Sequence, residues 1–290
     1  MANALRPAVL ALGVLTLSGC ATAGGSRADQ GHQAPQIPAR PQVHQSSAGA
    51  TLEASDPRLA AALLAEKFSA TAEHHLGVAA EYRRLGVLDA AHTHLILAVR
   101  KAPQGAEAHE GLARSWRDWG LPDRALGPAY RAAWYDPRSA AAQNTLGTVL
   151  DALGEVRGAR QAFERAVTID PSAAWALNNL CYVEFRLGRL HEARTRCEAA
   201  LRLSPHLVAA HNNLALSYAA AGDLARARIE FLAAGDVAAA EYNLGIVHLA
   251  EGEYASAADA FEQAIKARPT FTAAKARAHA ARVRLLTGSD

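Results

Sequence analysis

Small and apolar residues recur along this chain in fixed columns. A leucine followed by a small residue stands at Leu112-Ala113, Leu146-Gly147, Leu180-Cys181, Leu214-Ala215 and Leu244-Gly245, with the looser pair Val78-Ala79 ahead of them. Glycines follow at Gly86, Gly120, Gly154, Gly188, Gly222 and Gly252, and an alanine comes five residues after each, at Ala91, Ala125, Ala159, Ala193, Ala227 and Ala257. A second alanine column lies seven residues further, at Ala98, Ala132, Ala166, Ala200, Ala234 and Ala264. Prolines at 103, 137, 171 and 205 are each 34 residues apart. Columns that complete themselves over one period mark a tandem array. Each has a physical reason. A glycine ends a helix where a left-handed residue is needed. A proline stops the next helix, since it has no N–H to donate. Columns kept small suit places where neighbouring helices approach closely. One such pair cannot bury its apolar face alone, so the pattern predicts a stack of helix pairs.

Composition supports helices. Alanine, the best helix former, supplies 70 of the 290 residues. Half of the chain is hydrophobic but only 6% is aromatic, and Val, Ile and Thr are too sparse for a β-rich fold. The charge is near balance, 30 Lys+Arg against 28 Asp+Glu for a formal net of +2. That argues against nucleic-acid binding through counterion release.

The columns resemble the tetratricopeptide repeat, in which a helix A, a turn and a helix B form each unit. The large residue of helix B is Leu95, Ala129, Phe163, Cys197, Phe231 and Phe261. The resemblance implies an all-α solenoid, a right-handed superhelix of antiparallel helix pairs. It implies six repeats, 72–105, 106–139, 140–173, 174–207, 208–237 and 238–271. The fifth has 30 residues, so its second helix should stop near Gly235-Asp236. Residues 56–71 should form an N-terminal helix, with Asp56-Pro57 as N-cap and first turn. Residues 272–290 should form a polar-faced C-terminal cap and tail.

The N-terminus reads as an address. Arg6 precedes a short apolar stretch, Ala8–Leu17. That is shorter than the roughly 20 residues a membrane span needs and fits a secretory signal over 1–19. Leu17-Ser18-Gly19-Cys20 resembles a bacterial lipobox, which would make Cys20 the lipidated mature N-terminus. The alternative is an ordinary signal peptide with an incidental cysteine. Ala21 after the cysteine fits, by analogy, sorting to the periplasmic face of the outer membrane. Residues 20–55 are rich in Gly, Ser, Ala, Pro and Gln and read as a disordered tether reaching roughly 30 Å.

We find no catalytic constellation. His109-Glu110 and His191-Glu192 begin a zinc-protease pattern, but Ala113 and Thr195 stand where its second histidine belongs. His74 and His75, like His92 and His94, diverge on a helix, so no metal site is expected. Nor is any cofactor or small-molecule substrate. The chain ends just after its cap, where some repeat proteins of this kind continue into an enzyme domain.

The resemblance also places Cys181 and Cys197 on facing columns of one repeat. In an oxidising periplasm they would form a disulfide; otherwise they are two buried thiols filling space. It further implies that helix A lines a groove. Repeats four to six would present Trp175, Asn178, Asn179, Tyr182, Phe185, Asn212, Asn213, Leu216, Tyr242, Asn243 and Ile246, an apolar channel with asparagines along it. Repeats one and two would present mixed charges, among them Arg83, Glu110, Arg114 and Asp118. The asparagines resemble a ladder that grips a peptide backbone, an amide being both donor and acceptor; they are also common structural residues in helix A. The function implied is a non-catalytic scaffold. Its partner would be a protein or peptide segment of an envelope complex, with the membrane reached through the N-terminal lipid. Pilus assembly (Flp/Tad or type IV) or secretion is one reading. An adaptor for peptidoglycan synthases or hydrolases, or for outer-membrane protein assembly, is the other.

Overall fold

The computed structural model describes residues 56–287; the signal-like segment, Cys20 and the tether up to residue 55 lie outside the described residues. Among the described residues fourteen α-helices follow one another through short turns. None is long and apolar enough to cross a membrane. The described residues fall into two compact units, 56–137 and 138–287.

The first unit holds α1 (Pro57–Phe68), α2 (Ala72–Arg84), α3 (Leu88–Lys101), α4 (Ala106–Asp118) and α5 (Pro122–Tyr135). Asp56 caps α1, its carboxylate accepting from the Arg58 and Leu59 amides at 3.1 and 3.0 Å. It also takes a hydrogen bond from Arg84 at 2.6 Å. That bond and the capping amides hold the Asp56 carboxyl below its ordinary value. Leu59 is fully buried against Val78, Tyr82 and Ala91, so α1 covers the open face of the α2–α3 pair.

The second unit holds α6 (Ala140–Ala152), α7 (Val156–Ile169), α8 (Ala174–Arg186), α9 (Leu190–Leu203), α10 (Val208–Ala220), α11 (Leu224–Ala234), α12 (Val237–Ala250), α13 (Tyr254–Ala267) and α14 (Thr272–Thr287). They pack as antiparallel pairs, and α14 lies on α13. The α11 helix has 11 residues where α7, α9 and α13 have 14. Asp236 then caps α12 directly, accepting from the Ala239 amide at 2.8 Å.

The turns follow from the punctuating residues. Each column glycine has a positive φ, between 71° and 83°. The residue after it returns its N–H to a carbonyl five residues back, as Glu155 does to Leu150 at 2.9 Å, so the helix end stays satisfied. Ahead of each column proline, Ala102, Asp136, Asp170 and Ser204 leave the helical region, as the proline ring demands.

Within each pair the contact is a match of sizes. In α6 a Cβ at Gly147 would lie 2.5 Å from the Phe163 ring of α7, and one at Gly245 would lie 2.6 Å from Phe261. Cys181 of α8 and Cys197 of α9, both fully buried, occupy the corresponding places and are joined as a disulfide.

Candidate interaction surface

The α8 helix supplies the most open part of the expected groove. Trp175, Asn179, Tyr182 and Arg186 follow at intervals of four, three and four residues and therefore share one face. Trp175 is 41% exposed, a large aromatic left in water. Asn179 and Tyr182 are half-buried. The Arg186 guanidinium sits 5.8 Å from the Tyr182 ring centre and pairs with Asp151 of α6. The expected channel is thus partly charged here.

Burial pushes the Asp151 carboxyl above its ordinary value, opposed by the charge and hydrogen bond of Arg186. Burial also raises the Tyr182 phenol, helped by the nearby Asp151 charge. Arg186→Gln removes the two opposing effects, so the Asp151 carboxyl should titrate at a still higher pH. Carboxyl carbon shifts followed across an NMR pH titration measure this; an unmoved or lowered midpoint contradicts the pairing.

The asparagines form a ladder, built differently from the expectation. Each amide donates to one in the preceding repeat: Asn179 to Asn144 at 2.8 Å, Asn213 to Asn178 at 3.0 Å and Asn243 to Asn212 at 3.5 Å. Asn178 and Asn213 are buried at 8% and 3% exposure, so their amides tie helices together and offer no surface. The Asn213 Oδ1 atom is buried without a hydrogen-bond partner. Asn179, Asn212 and Asn243 remain half-buried at the edge of the ladder.

Three further groove positions are corrected. Phe185 and Leu216 belong to the core between successive pairs, packed with Leu214, Leu244 and Val247. Ile246 is buried against Phe261, Ala278 and Ala281, the last two from the capping α14. Tyr242 is half-buried, with its ring centre 5.5 Å from Phe261 and 4.9 Å from Phe271. The face that remains open is Trp175, Asn179, Tyr182, Asn212 and Asn243.

In the first unit the mixed charges pair among themselves. Arg83 reaches Asp118 at 2.7 Å, Arg117 reaches the same carboxylate at 2.8 Å, and Arg114 lies 3.6 Å from Glu110. Two features there escaped the sequence reading. Tyr130 and Trp134, four residues apart on α5, are 52% and 81% exposed; their spacing was the available signal. His75 and His94, each set aside beside its sequence neighbour, meet across helices at Glu66.

Tetratricopeptide repeat models match residues 132–174, 180–241 and 238–271. Among solved structures, PilW, described as a widely conserved type IV pilus biogenesis factor, is similar at 20% identity with a TM-score of 0.60, over 69% of this chain and 94% of that one. The pilF protein of Pseudomonas aeruginosa is similar at 20% identity and a TM-score of 0.57, over 70% of this chain and 95% of that one. A tetratricopeptide repeat protein of Parabacteroides merdae is similar at 18% identity and a TM-score of 0.57, over 77% and 91% of the two chains. At these identities the likeness establishes the fold. No curated protein matches the chain.

Proposed function

We propose, from the premise that this chain is a tetratricopeptide repeat protein, that it is a lipid-anchored scaffold presenting the α8 face to an envelope partner, in the assembly of a pilus or secretion machine. Tetratricopeptide repeats bind proteins or peptides. The observation that carries the site is Trp175: an aromatic ring 41% exposed beside half-buried amide and phenol groups of the same helix face. Such a ring offers a partner a large apolar area next to polar groups that fix register. Anchoring rests on Leu17-Ser18-Gly19-Cys20 at the end of a short apolar stretch. The pilus reading is supported by a type IV pilus biogenesis factor that shares this fold.

The test joins anchor and face. A photo-reactive residue at Asn179 in cells should crosslink the full chain to a pilus or secretion component. Trp175→Ala should then weaken the purified pair by about 2 kcal/mol, roughly thirty-fold in Kd. Wild-type affinity in Trp175→Ala would remove the α8 face from the reading. Crosslinks to cell-wall enzymes would redirect it to a peptidoglycan adaptor. Cys20→Ala should release the chain from membranes, and an unlipidated Cys20 in the native protein would sink the anchor.

A further inference from the structure

Three helices of the first unit each send one metal-ligating group to a common point. Glu66 comes from α1, His75 from α2 and His94 from α3. The His94 Nδ1 lies 2.8 Å from Glu66 Oε1, and the His75 Nδ1 contacts the same oxygen. The three ligand atoms all lie within 4.8 Å of one another. The two imidazole ring centres are 5.7 Å apart.

The placement of Glu66 is unusual for a carboxylate. Leu59, Ala62, Leu63 and Glu66 recur at helical spacing on α1, and the first three pack into the apolar cluster with Val78 and Tyr82. Glu66 therefore lies on the buried face of α1, with its side chain 16% exposed. His75 is 7% exposed and His94 16%. Charged side chains in such a setting are normally paired or bound to metal. Here one carboxylate oxygen is approached by two nitrogens at once.

The geometry points to a divalent transition-metal site, best suited to zinc, formed by Glu66, His75 and His94. Two imidazoles and a carboxylate are a donor set that zinc accepts, with a fourth position left for water. In a tetrahedral site with bonds of about 2.0–2.1 Å, ligand atoms stand roughly 3.3 Å apart. For an ion to enter between the three, Glu66 Oε1 has to move away from His94 Nδ1 by about 0.5 Å and from His75 Nδ1 by more. The ion would clip α1 to the first repeat, because its ligands come from all three helices, and its binding energy would add to the stability of the fold.

The test uses the full chain, stripped with a chelator and titrated with Zn²⁺ alone against a chromophoric competitor. One equivalent should bind, and Zn²⁺ should raise the Tm. Co²⁺ in its place should show the visible absorption of a four- or five-coordinate ion. Glu66→Gln keeps the shape and the hydrogen bonding, and His94→Ala removes a ligand from a half-buried edge. Each should weaken zinc by at least about ten-fold and abolish the thermal shift, while His191→Ala should leave both unchanged. If His94→Ala fails to fold, Glu66→Gln decides. Equal zinc affinity in wild type and Glu66→Gln, or no stoichiometric binding by the wild type, overturns the site. In that case the three groups are a hydrogen-bonded cluster only.

Discussion

Truncating Phe163 to alanine should destabilise the second unit by about 3–5 kcal/mol, and the same change should reverse the effect of a second substitution at Gly147. Phe163 is 2% exposed and its ring covers Gly147 across the α6–α7 pair. Removing it forfeits burial of an aromatic ring and leaves a cavity that helices held by neighbouring pairs cannot close. Gly147→Ala alone brings a Cβ within 2.5–2.9 Å of three ring atoms. Overpacking of this kind costs about 1–3 kcal/mol, more than the roughly 1 kcal/mol that alanine gains over glycine in a helix. Once Phe163 is alanine the obstruction is gone, so Gly147→Ala should stabilise that background by up to about 1 kcal/mol. A double-mutant cycle from urea unfolding, read by tryptophan fluorescence and circular dichroism, measures the reversal. A stabilising Gly147→Ala in the presence of Phe163 would show that the helices are not in contact at this point. The same logic holds for Gly245 under Phe261.

The size match explains which columns were legible. Ala91, Ala125, Ala159, Ala193, Ala227 and Ala257 are all buried, at 4% exposure or less. The second alanine column is buried too, apart from Ala234, which is the last residue of the shortened α11. Positions that must be small because backbones approach leave a trace in every repeat. The open face left a weaker trace. Phe185, Leu216 and Ile246 share helical spacing with truly open positions, and only the next pair or the cap decides which are covered. Asn178 and Asn213 are polar in either case, whether they meet a ligand or each other. The cluster at Glu66 was illegible for a different reason. Its members lie 9 to 28 residues apart and on three helices, so comparing neighbours within one helix could not join them.

Breaking the Cys181–Cys197 link should be the other large effect, about 3 kcal/mol. The two residues are 16 apart in sequence, and closing a loop of that size lowers the entropy of the unfolded chain by an amount worth roughly 3 kcal/mol at 25 °C. In repeats three, five and six the corresponding position carries a ring, Phe163, Phe231 and Phe261, opposite a glycine or an alanine, whereas repeats one and two carry Leu95 and Ala129. The fourth repeat has no ring there, and the covalent bond takes over the work of holding α8 to α9. Reduction and mutation separate the two contributions. Reduction leaves both sulfurs in place, so its effect on the urea midpoint reports the link. Cys181→Ala with Cys197→Ala also empties volume in a core that includes Leu214 and Phe231, and should cost more than reduction by about 1–2 kcal/mol. Because repeats are coupled chiefly to their neighbours, amide exchange after reduction should rise most in α8 and α9 and least in α13. An unchanged midpoint, or two thiols that alkylate in the unfolded, unreduced protein, would mean that the link is not formed. The result bears on location as well, since such a bond persists in an oxidising compartment and is lost in a reducing one. A chain purified from its native cell with the bond intact would be a chain that had left the cytosol, as the Cys20 reading requires.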